Sequence, residues 1–188
     1  MKTKNTKLIL PEGEFNVNAD YFDETDIIPL IEIYDNWRNL SNKLKNFNAR
    51  AVNLPEGLSE VVFCYFMDCI RLNNPKISGN VNTSFDAYSI KTKKRIQIKS
   101  CSVLPDLTSF GPKSQWDELY FQDFYREGEW DYTVDIYLIP NHYIYSQKVN
   151  KTHTLKQMQS EGKRPRFSIY KEIITQNKLK PIKKIKLK

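Results

Sequence analysis

The sequence predicts an α/β fold, and three observations carry that expectation. Apolar residues recur at helical spacing over residues 24–47, and a second stretch, 54–72, is apolar on almost every face. Two strand-like runs rich in β-branched and aromatic residues follow at 85–90 and 95–103, and a third at 132–139 is closed by Pro140. At 188 residues the chain is long enough for one domain with a real core, and it contains no internal repeat and no Gly/Ser linker. We therefore expect a single domain over 1–188 ending in a basic tail, 178–188.

The first helix, 24–47, places Ile27, Ile31, Tyr34, Trp37, Leu40, Leu44 and Phe47 at three- and four-residue steps. That stripe suits packing on a sheet or on a second subunit. The second helix, 54–72, opens with Pro55 and Glu56, as helix starts do, and its apolar surround marks it as buried. A connection carrying Pro, Gly and Asn, 73–82, leads to the strand pair. Residues 112–124 read as a helix opened by Ser114, before the strand at 132–139.

The strand pair carries the chemistry. Residues 91–94, Lys-Thr-Lys-Lys, read as a four-residue hairpin turn that pairs Ile90 with Arg95, Tyr88 with Gln97 and Asp86 with Lys99. Side chains alternate along a strand, so Gln97 and Lys99 share one face while Ile96 and Ile98 enter the core. Asp86, Gln97 and Lys99 then converge on one polar spot. A carboxylate, an amide oxygen and an ammonium can hold a hard divalent cation, orient a water and offset charge on a phosphate. The same pattern also suits an amphipathic hairpin with one solvated face.

In these residues the chain resembles the PD-(D/E)XK nuclease superfamily and, within it, the small type II restriction endonucleases. Asp86 matches the motif's aspartate, Gln97-Ile98-Lys99 its (D/E)XK tripeptide, and Lys99 its lysine. Two departures stand out: Ser84-Phe85 replaces the proline before the aspartate, and Gln97 occupies the position of the second carboxylate. The resemblance implies a restriction-endonuclease-like αβββαβ core, a central mixed sheet flanked by helices. In many such nucleases a glutamate on the helix before the hairpin faces the metal, and the phrase at 53–60 looks like that element. This implies Glu60 as the compensating acid, with Glu56 as fallback. A glutamate merely solvated at a helix start is the plainer use of either.

The implied site binds Mg²⁺ through Asp86, Glu60, the Gln97 amide and the Ile98 carbonyl, while Lys99 positions water. The implied reaction cuts both strands of double-stranded DNA at a short palindromic or near-palindromic site, leaving a 5′-phosphate and a 3′-hydroxyl. A homodimer matches such symmetry, and a cognate DNA methyltransferase would protect the host. The resemblance leans toward enzymes cutting a five-base GC-containing site with a degenerate centre, of the GCNGC type.

Residues 155–169 concentrate Gln157, Gln159, Lys163, Arg164 and Arg166, side-chain types that read base edges and clamp phosphates, though they would equally suit a solvated basic loop. Arg50 and Asn53 precede the second helix where its N-terminus would approach a phosphate. With 29 Lys+Arg against 22 Asp+Glu, the net charge of +7 favours polyanions. The tail carries six lysines in eleven positions, fit either to grip phosphate or to fray in solvent.

Other classes lack their marks. Cys64, Cys69 and Cys101 read as reduced core residues, without zinc-like spacing to a histidine. His142 and His153 have no nucleophile phrase beside them, and no Walker-type glycine loop occurs. The apolar run at the N-terminus is too short for a signal peptide, and no window approaches a membrane span, so a cytoplasmic protein is expected. Two alternatives remain: a structure-selective or repair nuclease on the same fold, and a noncatalytic nucleic-acid binder presenting Lys91, Lys93, Lys94 and Arg95.

Overall fold

A computed structural model describes residues 1–72 and 84–188. The connection expected at 73–82 lies outside the described residues. The frame is an eight-stranded mixed sheet built from β1 (Lys2–Leu10), β2 (Gly13–Tyr21), β3 (Ile70–Leu72), β4 (Ala87–Ser89), β5 (Lys94–Cys101), β7 (Glu118–Asp123), β8 (Thr133–Ile139) and β10 (Lys183–Lys186), adjacent in that order. Only β5 and β7 run parallel; the other neighbours are antiparallel. A two-stranded ribbon joins β6 (Thr108–Ser109) to β9 (Arg166–Phe167).

Helices cover the sheet on both sides. On one side, α1 (Ile27–Lys45) and α2 (Glu56–Phe66) bury Tyr34, Trp37, Val62 and Phe63 against Ile96 and Ile98 of β5 and Ile136 of β8. On the other, α3 (Asn141–Ser146), α4 (Leu155–Ser160) and a π-helical turn (Tyr170–Thr175) bury Ile144, Leu155 and Ile173 against Leu119, Phe121 and Ile139. Residues 119–121 alternate between these layers, as the period of a strand requires. Each fully buried aliphatic or Phe side chain contributes about 1.5–3 kcal/mol, so the two apolar layers dominate the stability. The mixed sheet flanked by helices is the α/β architecture the sequence led us to expect.

Several elements differ from their sequence expectation. The apolar run 54–72 is a helix followed by a strand: α2 stops at Phe66, and Asp68, in the left-handed region at φ 53°, turns the chain into β3. Residues 112–124 form no helix; they deliver the buried strand β7, whose aromatic and apolar residues pack on both faces. The helix expected over 24–47 begins with a single 3₁₀ turn capped by Asp23, which accepts from the Thr25 amide at 3.0 Å. Along α1 the buried stripe is Leu30, Tyr34, Trp37, Arg38 and Ser41, leaving Leu40 exposed and, beyond the helix, Phe47.

The terminal segments also belong to the sheet. β1 and β2 form a nine-pair hairpin whose Leu8, Leu10, Val17 and Ala19 are buried. The basic tail is not frayed over its second half: β10 pairs with β8 and buries Ile185, with Leu187 buried just beyond it.

Candidate active site

The hairpin of β4 and β5 closes through residues 90–93, with Lys93 at φ 58°. Pairing therefore sets Ser89 opposite Lys94, Tyr88 opposite Arg95 and Ala87 opposite Ile96, two residues away from the register expected above. By continuation Asp86 meets Gln97 rather than Lys99. The Asp86 amide donates to the Ile96 carbonyl at 2.9 Å, and its carboxylate accepts from the Ile98 amide at 2.7 Å and from the Gln97 side-chain amide.

This gives Gln97 a role different from the one its motif position implies. Its amide nitrogen, not its oxygen, faces Asp86, and the residue is buried. Gln97 orients the aspartate as a donor, where an acid at this position would have repelled it. Burial pushes the Asp86 carboxyl up to about 6 against the pull of Lys99 and the Ile98 amide.

Glu60 projects from the second turn of α2 and is pushed up to about 7, first by burial and then by the negative charge of Asp86 and Glu56. The two carboxyls therefore share one electrostatic neighbourhood. One Glu60 oxygen lies 3.8 Å from an Arg71 guanidinium nitrogen, a loose ion pair. The Lys99 ammonium sits 5.8 Å from the centre of the Phe110 ring.

Above these groups opens a cleft of about 560 Å³. Glu60, Ile98, Lys99, Arg50, Asn53 and Arg164 all line it, so part of the metal-site set and part of the DNA-contact set border one space; Asp86 and Gln97 are not in its lining. Arg50 and Asn53 bond to each other at 3.3 Å and are exposed. Sequence reasoning missed the opposite wall, residues 102–109, which the cleft lining includes apart from Leu104.

The other candidates in 155–169 are committed elsewhere. Gln157 completes the capping box of α4, accepting from the Thr154 amide at 2.8 Å. Gln159 donates to the Gly111 carbonyl at 2.7 Å, and Lys163 pairs with Glu161 at 2.6 Å. Arg166 is exposed on β9. The segment is a capped helix, a turn at Gly162 with φ 72° and a short strand, rather than one open loop.

Asp106 fixes this wall to its neighbour. Buried, it accepts from the Ser168 hydroxyl, the Ile169 and Tyr170 amides and the Thr108 hydroxyl at 2.5–3.1 Å. The Phe110 amide donates to Pro165 at 3.1 Å, and the Phe110 and Phe167 rings stack at 5.4 Å.

The Glu60 and Asp86 carboxyls are hard oxygen donors, and two half-buried carboxyls held above their usual range are a charge imbalance that a divalent cation relieves. The residues thus fit such an ion, with Asp86, Glu60 and the Ile98 carbonyl as donors. No cluster of three or more His, Cys, Asp or Glu residues suited to a metal occurs among the described residues, so water or phosphate oxygens would complete the shell.

The hairpin as a phosphate-presenting arm fares less well. Arg95 is buried and held by Asp117 at 2.9 Å and Glu12 at 3.2 Å, and Lys94 pairs with Glu118 at 2.5 Å. Cys64, Cys69 and Cys101 are buried free thiols, and His153 pairs with Glu161 at 3.2 Å. Among the described residues no helix is long and apolar enough to cross a membrane.

No solved structure matches the chain. It is 35% identical over 161 residues to the type II restriction enzyme Bsp6I of Bacillus sp. (strain RFL6), covering 84% of this chain and 86% of that protein. The model of the Bsp6I restriction endonuclease family matches residues 22–176, which include α1, α2, the β4–β5 hairpin and the cleft. The chain therefore belongs to the Bsp6I restriction endonuclease family, and is a type II site-specific deoxyribonuclease.

Proposed function

We propose that the chain hydrolyses both strands of duplex DNA in a Mg²⁺-dependent reaction at a short palindromic or near-palindromic site, leaving 5′-phosphate ends. The observation that carries this reading is that Glu60, Ile98 and Lys99 line one cleft together with Arg50, Asn53 and Arg164, while Asp86, bonded to the Ile98 amide, lies within the electrostatic reach of Glu60 and Lys99. The GC-containing, degenerate-centre site of the GCNGC type rests on the resemblance of the motif phrases.

Asp86, Glu60 and the Ile98 carbonyl would hold the ion, and the Gln97 amide, donating to Asp86, would keep that carboxylate in place for it. When bound, Mg²⁺ supplies Lewis-acid polarisation of the scissile phosphate and lowers the pKa of water. Lys99 donates hydrogen bonds to the attacking water and to the phosphate oxygens, offsetting the charge that grows in the transition state. Arg50 and Asn53 position the backbone, and Arg164 on the opposite rim reaches a base edge or phosphate.

A homodimer places two such clefts on opposite strands. Ile33, Leu40 and Phe47, seven residues apart on or just beyond α1, are all exposed and offer an apolar stripe for that contact. In the host, a methyltransferase of matching specificity protects the genome.

The test is incubation of purified protein with long unmethylated duplex DNA in Mg²⁺ and in EDTA, with Asp86→Ala as control. Discrete Mg²⁺-dependent fragments that vanish in the variant support the reading. Intact DNA, or fragments that survive in EDTA, overturns it.

A further inference from the structure

The strand next to β4 carries a charge chain that reaches Glu60. Arg71 on β3 directs one guanidinium nitrogen to Asp20 at 3.1 Å and another to Glu60 at 3.8 Å. Asp20 is 1% exposed, lies on β2 opposite Arg71, and accepts from the Thr3 hydroxyl at 2.7 Å. The Phe22 ring lies 5.7 Å from the guanidinium centre. Asp20 stands just ahead of residues 22–176, which the family model matches.

The two distances are unequal in a meaningful way. Arginine presents a planar fork that closes on a carboxylate with two parallel bonds when nothing restrains it. Here the shorter contact goes to the buried Asp20, and Glu60 receives only the longer one. A Glu60 captured by both nitrogens would have its oxygens occupied by hydrogen bonds and would compete poorly for a cation.

We propose that Asp20 is a positioning residue that anchors Arg71 away from Glu60, leaving the Glu60 carboxylate oriented yet free to bind the divalent cation. The inference rests on the metal role given to Glu60 above. The N-terminal hairpin is then part of the site's support: Thr3 sets Asp20, Asp20 sets Arg71, and Arg71 steers Glu60. Outer-shell partners of this kind change metal affinity about 10–100-fold when removed.

The experiment is titration of the full-length protein with Mn²⁺ in the absence of DNA, read by calorimetry, with each variant's fold checked by circular dichroism. Asp20→Asn releases the guanidinium onto Glu60, and Mn²⁺ affinity falls about tenfold. Adding Arg71→Met to that variant removes the competing fork together with its charge, and restores affinity to within about threefold. Damage to packing alone would lower the melting temperature without such a recovery. Asp20→Ser, too short to hold the guanidinium yet able to bond the Thr3 hydroxyl, replaces Asp20→Asn should the latter not fold. Wild-type affinity in the folded Asp20 variant, or no recovery in the double variant, overturns the inference. Glu60→Gln separates the two levels: if it binds Mn²⁺ as wild type does, the metal role of Glu60 fails and the anchoring role falls with it.

Discussion

Replacing Glu60 with Gln should stabilise the metal-free protein at alkaline pH while removing its response to metal. In the folded chain Glu60 titrates at about 7 against an ordinary 4.5, a gap of about 2.5 pH units. Because the folded-state value is raised, the folded protein binds the proton more tightly than the unfolded chain does. The associated stability is fully present below about pH 4.5 and is lost as pH rises through 7. At 1.36 kcal/mol per pH unit the gap corresponds to about 3 kcal/mol. The side chain is 19% exposed and solvent screens part of this, so a loss of about 2–3 kcal/mol is expected by pH 8. A glutamine carries no such charge. In EDTA at pH 8, Glu60→Gln should therefore melt roughly 4–12 °C above wild type, by the usual conversion for a chain of this size. At pH 4.5 the two should nearly coincide. Thermal unfolding followed by circular dichroism from pH 4.5 to 8, with and without Mn²⁺, measures all of this. A Glu60→Gln protein that melts below wild type at pH 8, or a wild type whose melting point does not fall with rising pH in EDTA, refutes the reasoning.

Four further outcomes follow from the geometry. Lys99→Ala should lower cleavage by about 10²–10³-fold, the usual cost of one transition-state donor, while site-specific binding in a gel shift with Ca²⁺ persists; unchanged cutting would remove Lys99 from the site. Gln97→Glu replaces the amide that donates to Asp86 with a third carboxyl. It should lower the metal-free melting point at pH 8 and tighten Mn²⁺ binding, and an unaltered titration would place Gln97 outside the metal's field. Ile185→Ala, at a residue 3% exposed on β10, should cost about 2–4 kcal/mol in urea unfolding; no loss would mean the tail does not pack in solution. Arg164→Ala should weaken DNA binding, and the dependence on base sequence or on salt distinguishes a base contact from a phosphate contact.

The local part of the site was legible and its long-range part was not. Alternation of apolar and polar residues marked the hairpin and put Gln97 and Lys99 across β5 from Ile96 and Ile98, because that period is a property of neighbours. Register depends on where the turn closes, and a left-handed Lys93 moved that point by one residue. Two residues of register followed, bringing Gln97 to Asp86. The helix expected at 112–124 failed for another reason: Trp116, Leu119, Tyr120 and Phe121 supply apolar residues on every face, and a strand buried on both sides looks like a buried helix when only spacing is read. The β1–β2 hairpin did leave a signal, since Phe15, Val17 and Ala19 alternate after a turn at 11–12. Arg71 and Asp20 could not be tied to Glu60 from sequence, since strand adjacency alone brings residues 51 apart together.

The ribbon of β6 and β9 bears on how such an enzyme can be re-engineered. Residues 102–111 leave β5 only a few positions after Lys99, and Asp106, Phe110 and Gly111 fasten them to the stretch 159–170. A graft that exchanges residues 155–169 for those of another enzyme, hoping to transplant a different target sequence, severs these fastenings unless 102–111 travels with it. The exchangeable unit is both strips together, and its lower end is anchored in the strand that carries Lys99.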